Sequence, residues 1–392
     1  MHILMISIGK DILCEGSSTQ KRHFEYGKIC ESLDIIVLGN YTKLHQTEHD
    51  PPFPSTGGHI KGGNNENVKI YAAGGNNKIS RFFRACALAG EIAKNNKIDL
   101  VTTQDAVYTG LIGYCLKKKF KIRLNAQIHG LEEKFLNKIL FLSLKKKIIK
   151  NADSVRVVSE RLKEWVVDKY GIANDRIFVI PIYTEYESGI KNQGLRNNLL
   201  AQAGEMKKLE IRNWKLEKNF TILTVGRLVK VKNIKLQIEA MADVIKIFPD
   251  VRLVIVGDGP EKEKLHRLAN RLKLKDKVEF KGWQEKVKPY YENADLFLLT
   301  SNSEGWGLVV VEAMKFGLPV IMTDVGCAGE VIKNEKNGIV IPIKDKKALI
   351  AAISEMIANK EKREVFAEKG LETVNKLPDK EETLGLYRRM WE

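Results

Sequence analysis

The sequence predicts an α/β protein built from two doubly wound parallel-sheet domains. Short apolar runs rich in β-branched residues alternate with longer segments of helical periodicity, and this alternation occurs twice, on either side of a polar stretch at 184–218. Continuous apolar strands separated by helices are typical of a parallel sheet covered on both faces. A length of 392 residues also favours two cores over one.

In the first half, a loop rich in Pro, Gly and Asn is expected at 43–67. The strands are predicted at 2–8, 34–39, 68–73, 98–103, 121–128, 154–158 and 176–181. The helices between them are predicted at 79–95, 107–118, 132–150 and 159–170.

The second half repeats the alternation, and Pro378 separates it from a last amphipathic segment. Its strands are predicted at 220–225, 251–256, 277–281, 295–299, 319–323 and 338–341. Its helices are predicted at 232–248, 260–273, 285–293, 307–316, 326–333, 345–358 and 360–375. The predicted organisation is an N-terminal domain (1–185), a connection (186–218), a C-terminal domain (219–375) and a C-terminal helix (376–392). Two such domains are expected to face a cleft at the carboxyl ends of their strands.

The composition, 44% hydrophobic and 29% charged, is that of a globular protein and excludes the disordered class. The five cysteines are scattered without a C-x-x-C pair, which argues against a disulfide framework or a structural zinc site and favours a reducing, cytoplasmic setting. No apolar run reaches the roughly 18 residues of a membrane span, and the N-terminus reads as a strand instead of a leader.

The net charge of +16 is concentrated in residues 51–150, which hold 18 Lys/Arg against 6 Asp/Glu. This basic region has two interpretations. It is either a solvated face of Lys-rich helices, or a surface that attracts anionic lipid headgroups or an anionic acceptor. The second would place the protein peripherally on the inner face of a membrane.

One segment, Thr300–Met314, combines a strand end, a Gly-rich turn and an apolar helix. Such a turn offers free backbone N–H groups and a positive helix end to a phosphate. Glu312 is expected among apolar neighbours, so its carboxylate needs donors. A ribose diol or a structural Lys or Arg could supply them. The glycines could also serve only strand–helix packing.

The same residues resemble glycosyltransferase family 4, the retaining "glycosyl transferases group 1" of the two-Rossmann-domain (GT-B) fold. Glu304 and Glu312 form its E-x7-E spacing, embedded in Ser303-Glu304-Gly305-Trp306-Gly307 and followed by Gly317-Leu318-Pro319-Val320. The resemblance implies a hexosyltransferase that uses a UDP- or GDP-type sugar as a substrate, with no cofactor and no metal. The acceptor, whether lipid-linked, glycan or small molecule, is left open.

The resemblance also assigns roles to individual residues. It implies a diphosphate clamp made of Arg227 and Lys232, with Asn233 where the family often has Gly, and sugar-hydroxyl contacts for Glu304. The remaining donor-binding positions are Gly226, Trp283, Gly305, Trp306, Gly307, Leu308 and Glu312. Trp283 could contact the base or fill the core.

The resemblance implies that the first domain binds the acceptor and that the C-terminal helix, 376–392, crosses back onto it. The first domain itself matches less of the family pattern. Gln127-Ile128-His129-Gly130 resembles the family's His-Gly at the donor-sugar edge, so His129 is a catalytic candidate beside a purely structural interpretation. Acceptor-side candidates are Gly16, Ser17 and Arg22, where relatives have a Gly-Gly turn, together with Gln104 and Asp105.

Other classes of protein fit the sequence less well. A sugar epimerase or phosphorylase of the same architecture is the nearest enzymatic alternative. A basic nucleic-acid-binding protein is a distant one, because no helix-turn-helix, zinc-finger or RNA-recognition motif is present. A dehydrogenase is disfavoured because no candidate strand is followed by G-x-G-x-x-G. The expectation is therefore that nucleic acid is not a partner.

Overall fold

A computed structural model describes residues 1–39, 59–61, 67–130, 138–186 and 220–392. These residues form two compact units, Met1–Pro181 with Lys380–Glu392, and Ile182–Asp379. Each unit is an α/β layer structure on a parallel sheet, so the predicted fold class is confirmed. Residues 187–218 of the predicted interdomain connection lie outside the described residues.

The first unit contains an eight-stranded sheet in the order β3-β4-β2-β1-β5-β6-β7-β8. Among the described strands of this sheet, only β3 runs antiparallel to its neighbour. The strands are β1 His2–Ser7, β2 Ser32–Val37, β3 His59–Lys61, β4 Val68–Ala72, β5 Leu100–Thr103, β6 Arg123–Ile128, β7 Ser154–Val157 and β8 Ile177–Val179. The helices are α1 Ser18–Gly27, α2 Lys78–Asn95, α3 Tyr108–Phe120, α4 Lys138–Asn151, α5 Glu160–Tyr170 and the C-terminal helix Lys380–Trp391.

The C-terminal helix completes the core of the first unit. Its Tyr387 and Trp391 are buried with β1 and β2 in one apolar cluster, and Tyr387 packs on Tyr26 of α1 at 4.6 Å between ring centroids. Arg156 lies 5.0 Å from the Tyr387 ring centroid. Its guanidinium donates hydrogen bonds of 3.1 and 2.7 Å to the Ile180 carbonyl. Neutral acceptors and an aromatic face thus replace water around this buried cation.

The second unit contains a six-stranded parallel sheet in the order β11-β10-β9-β12-β13-β14. Its strands are β9 Thr221–Val225, β10 Arg252–Val256, β11 Val278–Gly282, β12 Leu296–Leu299, β13 Val320–Thr323 and β14 Ile339–Ile341. Its helices are α6 Ile234–Ile247, α7 Lys262–Arg271, α8 Lys288–Glu292, α9 Leu308–Lys315, α10 Lys346–Ala358 and α11 Lys360–Val374.

Three local features differ from the predictions. The loop predicted at 43–67 includes the short strand β3, which pairs antiparallel with β4, while 43–58 and 62–66 lie outside the described residues. The helix predicted at 326–333 is wrong: the segment forms turns and short bridges, because Gly326 and Gly329 adopt φ of +58° and +82°, which a helix does not allow. Helix α1 was not predicted, and it begins where the Ser17 hydroxyl accepts a hydrogen bond from the Gln20 N–H. Among the described helices, none is long and apolar enough to cross a bilayer.

Candidate active site

In each sheet, the chain reverses direction of winding between two neighbouring central strands. This switch point lies between β9 and β12 in the second unit and between β1 and β5 in the first. Ligands of doubly wound folds bind where such strands end. Arg227 and Glu304 follow β9 and β12, and Gln104 follows β5. The residues that follow the switch-point strands are therefore the same ones that the sequence motifs indicated.

The loop after β9 carries the two predicted diphosphate cations. The Gly226 N–H donates to the Val256 carbonyl at 2.9 Å, and a side chain at Gly257 would meet the Gly226 carbonyl oxygen at 2.0 Å, so only glycine permits this approach. The Arg227 side chain is exposed and has no hydrogen bond or ion pair with any described residue. A single 3₁₀ turn, Lys230–Lys232, then leads into α6.

Asn233 replaces the glycine of the family pattern at the start of α6. It adopts a left-handed conformation, with φ of 49° and ψ of 38°, which glycine and asparagine tolerate better than other residues. Asn233 therefore adopts a conformation that glycine would also allow.

Lys232 and Glu304 lie in contact. Lys232 Nζ is 2.6 Å from Glu304 Oε1, and the Ser301 hydroxyl donates to the same oxygen at 2.6 Å. Their side chains are 20% and 12% exposed. The Asn302 N–H donates to the Val231 carbonyl at 2.7 Å, joining the loop after β12 to the lysine turn. Ser301 is a site residue that sequence reasoning missed, although it stands inside the quoted motif.

Helix α9 begins at Gly307, which adopts φ of +92°. No side chain of the described residues caps this end, so the first N–H groups, including that of Leu308, remain without a side-chain acceptor. The helix end can therefore receive an anion. Gly305 and the buried Trp306 form the turn before it, and Trp306 is 4% exposed.

Glu312 lies on α9 and is only partly buried, less than its sequence neighbours implied. The Tyr291 hydroxyl donates to Glu312 Oε2 at 2.8 Å. This donor was not among the alternatives that the sequence offered for Glu312. Tyr291, on α8, is a second residue that sequence reasoning missed, since nothing in the motif points to it.

Trp283 is 64% exposed at the end of β11, so the core-filler interpretation is wrong. An exposed indole at the carboxyl edge of the sheet has a free face for stacking. Trp283 follows Gly282, whose carbonyl accepts from the Gly257 N–H at 2.7 Å. This bond links the loop after β11 to the loop after β10.

In the first unit, a polar chain connects the switch-point strands to α1. The Ser7 hydroxyl donates to Gln104 Oε1. The Gln104 amide lies 2.8 Å from His23 Nε2, and His23 Nδ1 lies 2.6 Å from the Thr19 carbonyl. This pattern requires a neutral His23 that donates from Nδ1. Burial is the main cause that lowers the pKa of His23 to about 4. The sequence did not indicate His23 as a site residue, because a single His beside Arg22 forms no motif.

His129 follows β6 and its side chain is exposed. Desolvation by the surrounding protein, then the nearby charges of Arg156, His23 and Arg22, lower the pKa of His129 below its usual range. The imidazole is therefore neutral near pH 7. A neutral imidazole can accept a hydrogen bond from a sugar hydroxyl or donate one to it.

Several acceptor-side candidates cap helices or form turns in the structure. Asp105 accepts from the N–H groups of Val107 and Tyr108 at 2.8 and 2.6 Å and from the Thr109 N–H and hydroxyl at 3.0 and 2.8 Å, so its carboxylate caps α3. Ser17 caps α1. Gly16, with φ of +75°, forms the turn before it.

Two family models match this chain. "Glycosyltransferase Family 4" matches residues 43–182, and "Glycosyl transferases group 1" matches residues 206–373. The first covers most of the N-terminal unit and the second most of the C-terminal unit.

Characterised relatives match over part of their length. The lipopolysaccharide core biosynthesis glycosyltransferase LpsE of Rhizobium meliloti is 33% identical over 153 residues, which are 39% of this chain and 44% of LpsE. The alpha-monoglucosyldiacylglycerol synthase of Streptococcus pneumoniae is 30% identical over 261 residues, covering 62% of this chain and 56% of that enzyme. The chain thus spans about half the length of these relatives.

Solved structures share the fold over the full chain. Anabaena HepE in complex with UDP has a TM-score of 0.73 at 17% identity, covering 99% of both chains. Sucrose-phosphate synthase from Thermosynechococcus elongatus has a TM-score of 0.76 at 21% identity, covering 99% of this chain and 98% of that one. With both family models matched and this fold shared, the chain belongs to the group 1, family 4-like glycosyltransferases of the GT-B fold.

Proposed function

We propose that the protein transfers a hexose, with retention of anomeric configuration and without a metal, from a UDP- or GDP-type sugar to an acceptor in glycoconjugate or polysaccharide biosynthesis. One observation carries the proposal. The carboxyl edge of the second sheet carries, at its switch point, two cations, a helix end without a side-chain cap and two carboxylates.

The diphosphate fits the positive part of this site. Arg227 has no competing partner among the described residues, and a guanidinium can hold a phosphate through two parallel hydrogen bonds. Lys232 and the N–H groups at Gly307 and Leu308 add charge and donors. Together they would neutralise the leaving diphosphate, which is the role that a metal plays in other transferases.

The carboxylates suit the neutral parts of a nucleotide sugar. Glu304 accepts from sugar hydroxyls and Glu312 from the ribose diol, while Trp283 offers a stacking face to the base. The presence of UDP in the HepE structure supports this class of donor.

We infer a front-face reaction for the chemical step. The bond between the anomeric carbon and the diphosphate oxygen breaks, the acceptor oxygen bonds to the same face, and the acceptor proton passes to the departing phosphate oxygen. Arg227 and Lys232 stabilise the charge that develops on this oxygen. Because the departing phosphate oxygen takes the acceptor proton, this route requires no protein nucleophile.

For the acceptor, the exposed surface of the first unit favours a lipid-linked molecule. Ile79 and Phe83 lie one turn apart on α2 and are 69% and 65% exposed, with Lys78 and Arg84 exposed beside them. Apolar side chains flanked by cations suit the interface of an anionic bilayer. We therefore propose peripheral contact with the inner face of the membrane.

A thermal-shift and calorimetry screen of UDP, GDP and their sugars tests the proposal without an acceptor. We expect one nucleotide family to bind with micromolar affinity in the presence of EDTA. Absence of binding across the panel would refute the function, and binding only after a divalent cation is restored would refute its metal independence.

A further inference from the structure

We propose that Tyr291 is a positioning residue that orients the Glu312 carboxylate toward the ribose of the bound nucleotide, which rests on the proposed function. The Tyr291 hydroxyl donates to Glu312 Oε2 at 2.8 Å, and the Tyr291 side chain is fully buried. Both residues lie in the second unit, on α8 and α9.

The ring that carries this hydroxyl is held by other aromatic rings. Tyr291 stacks on Phe316 with 5.3 Å between centroids and 6° between planes. Tyr186 meets both rings edge-on, at 6.4 Å from Tyr291 and 5.4 Å from Phe316. The Lys315 ammonium donates to the Tyr186 carbonyl at 3.0 Å. The phenol oxygen therefore has little freedom, and it constrains the carboxylate that it contacts.

Tyr291 remains a donor under all conditions of interest. Burial, followed by the Glu312 charge, raises the pKa of the Tyr291 hydroxyl well above its usual range. A carboxylate has about four acceptor sites, so it can accept from the Tyr291 hydroxyl and from ribose hydroxyls at the same time. The Tyr291 contact sets the plane of the carboxylate before the nucleotide arrives.

The test uses the full chain and calorimetry with UDP, GDP and their 2′,3′-dideoxy analogues. Tyr291→Phe keeps the ring stack and removes only the hydroxyl. We expect it to weaken binding of the ribonucleotide about fivefold to tenfold and to leave the dideoxy analogue within about twofold. In a Glu312→Gln background, Tyr291→Phe should change the ribonucleotide affinity by less than about twofold.

Tyr290→Phe is the matched control, because the residue is adjacent on α8 and its hydroxyl has no hydrogen bond with any described residue. It should not change either affinity. Equal losses for ribo- and dideoxynucleotides in Tyr291→Phe, or no loss at all, would overturn the positioning role. Failure of the unmodified protein to bind any nucleotide would instead refute the proposed function. If the variant is less stable, the ratio of the two affinities still decides, because the same folded population binds both ligands.

Discussion

Lys232 Nζ lies 2.6 Å from Glu304 Oε1, although the two residues were predicted to hold different parts of the donor. Without the donor, each charge compensates the other in a partly buried setting, where an isolated charge would be unfavourable. On the proposed function, we expect a bound diphosphate to give Lys232 a second anionic partner and Glu304 to accept also from a sugar hydroxyl. We infer that the pair couples recognition of the two halves of the donor.

Glu304→Gln should separate these two functions. Removing the carboxylate charge frees Lys232 for the phosphates, so we expect the Kd for the nucleoside diphosphate to stay within about threefold or to fall. Turnover should decrease about 100-fold, because the contact to the sugar is weakened in the transition state. Calorimetry and a product assay measure the two effects. Glu263→Gln, on the exposed face of α7, is the control. Weaker nucleotide binding in proportion to lost turnover would show that Glu304 has no such coupling role.

Arg227→Ala should reduce turnover at least about tenfold and weaken nucleoside diphosphate binding. Its melting temperature should not change, because the exposed Arg227 side chain makes no hydrogen bond or ion pair with any described residue. Lys230→Ala, in the adjacent turn, removes the same charge from the same region and controls for the general field. The clamp is excluded if both variants lose activity equally, or if neither does.

The second unit could be predicted closely from the sequence. Most of its strands are continuous apolar runs. Its site follows from two local motifs, one with glycine and cations after β9 and one with glycines and carboxylates after β12. Tyr291 could not be predicted as a site residue, because it contacts Glu312 only after α8 and α9 pack. The sequence around Tyr291 contains no motif. The exposure of Trp283 could not be predicted either, because residue type alone does not distinguish an exposed indole from a buried one.

The first unit was harder to predict, for a physical reason. Asp105 and Gln104 both follow β5, but the local N–H groups of α3 engage Asp105 while Gln104 takes part in a contact with His23 across the fold. The position of a residue in the sequence predicts the edge of the sheet at which its side chain lies. It does not show whether that side chain caps the N–H groups of a neighbouring helix. Helix α1 was missed because its start depends on the cap at Ser17.

Stability should depend on pH through His23. Its folded-state pKa is lowered to about 4, below an unfolded value of about 6.5, so the unfolded chain binds the proton first. The resulting stability is complete above pH 6.5 and is lost as the pH falls toward 4, by about 3 kcal/mol. Urea unfolding between pH 7.5 and 4.5 measures this loss. His23→Gln should be less stable at pH 7.5 and should show a flatter dependence; an unchanged slope would assign the effect to other groups.

Membrane contact through α2 should depend on Ile79 and Phe83. Replacing both with Ser removes the exposed apolar pair and leaves Lys78 and Arg84 in place, so we expect co-sedimentation with vesicles containing anionic phospholipid to fall about tenfold or more. Stability should change little, because both side chains are mostly exposed. Val365→Ser, at a 40% exposed position on α11, is the control and should bind vesicles like the unmodified chain. Binding that does not respond to the double variant, or that is the same on neutral vesicles, would leave the basic region as a solvated surface.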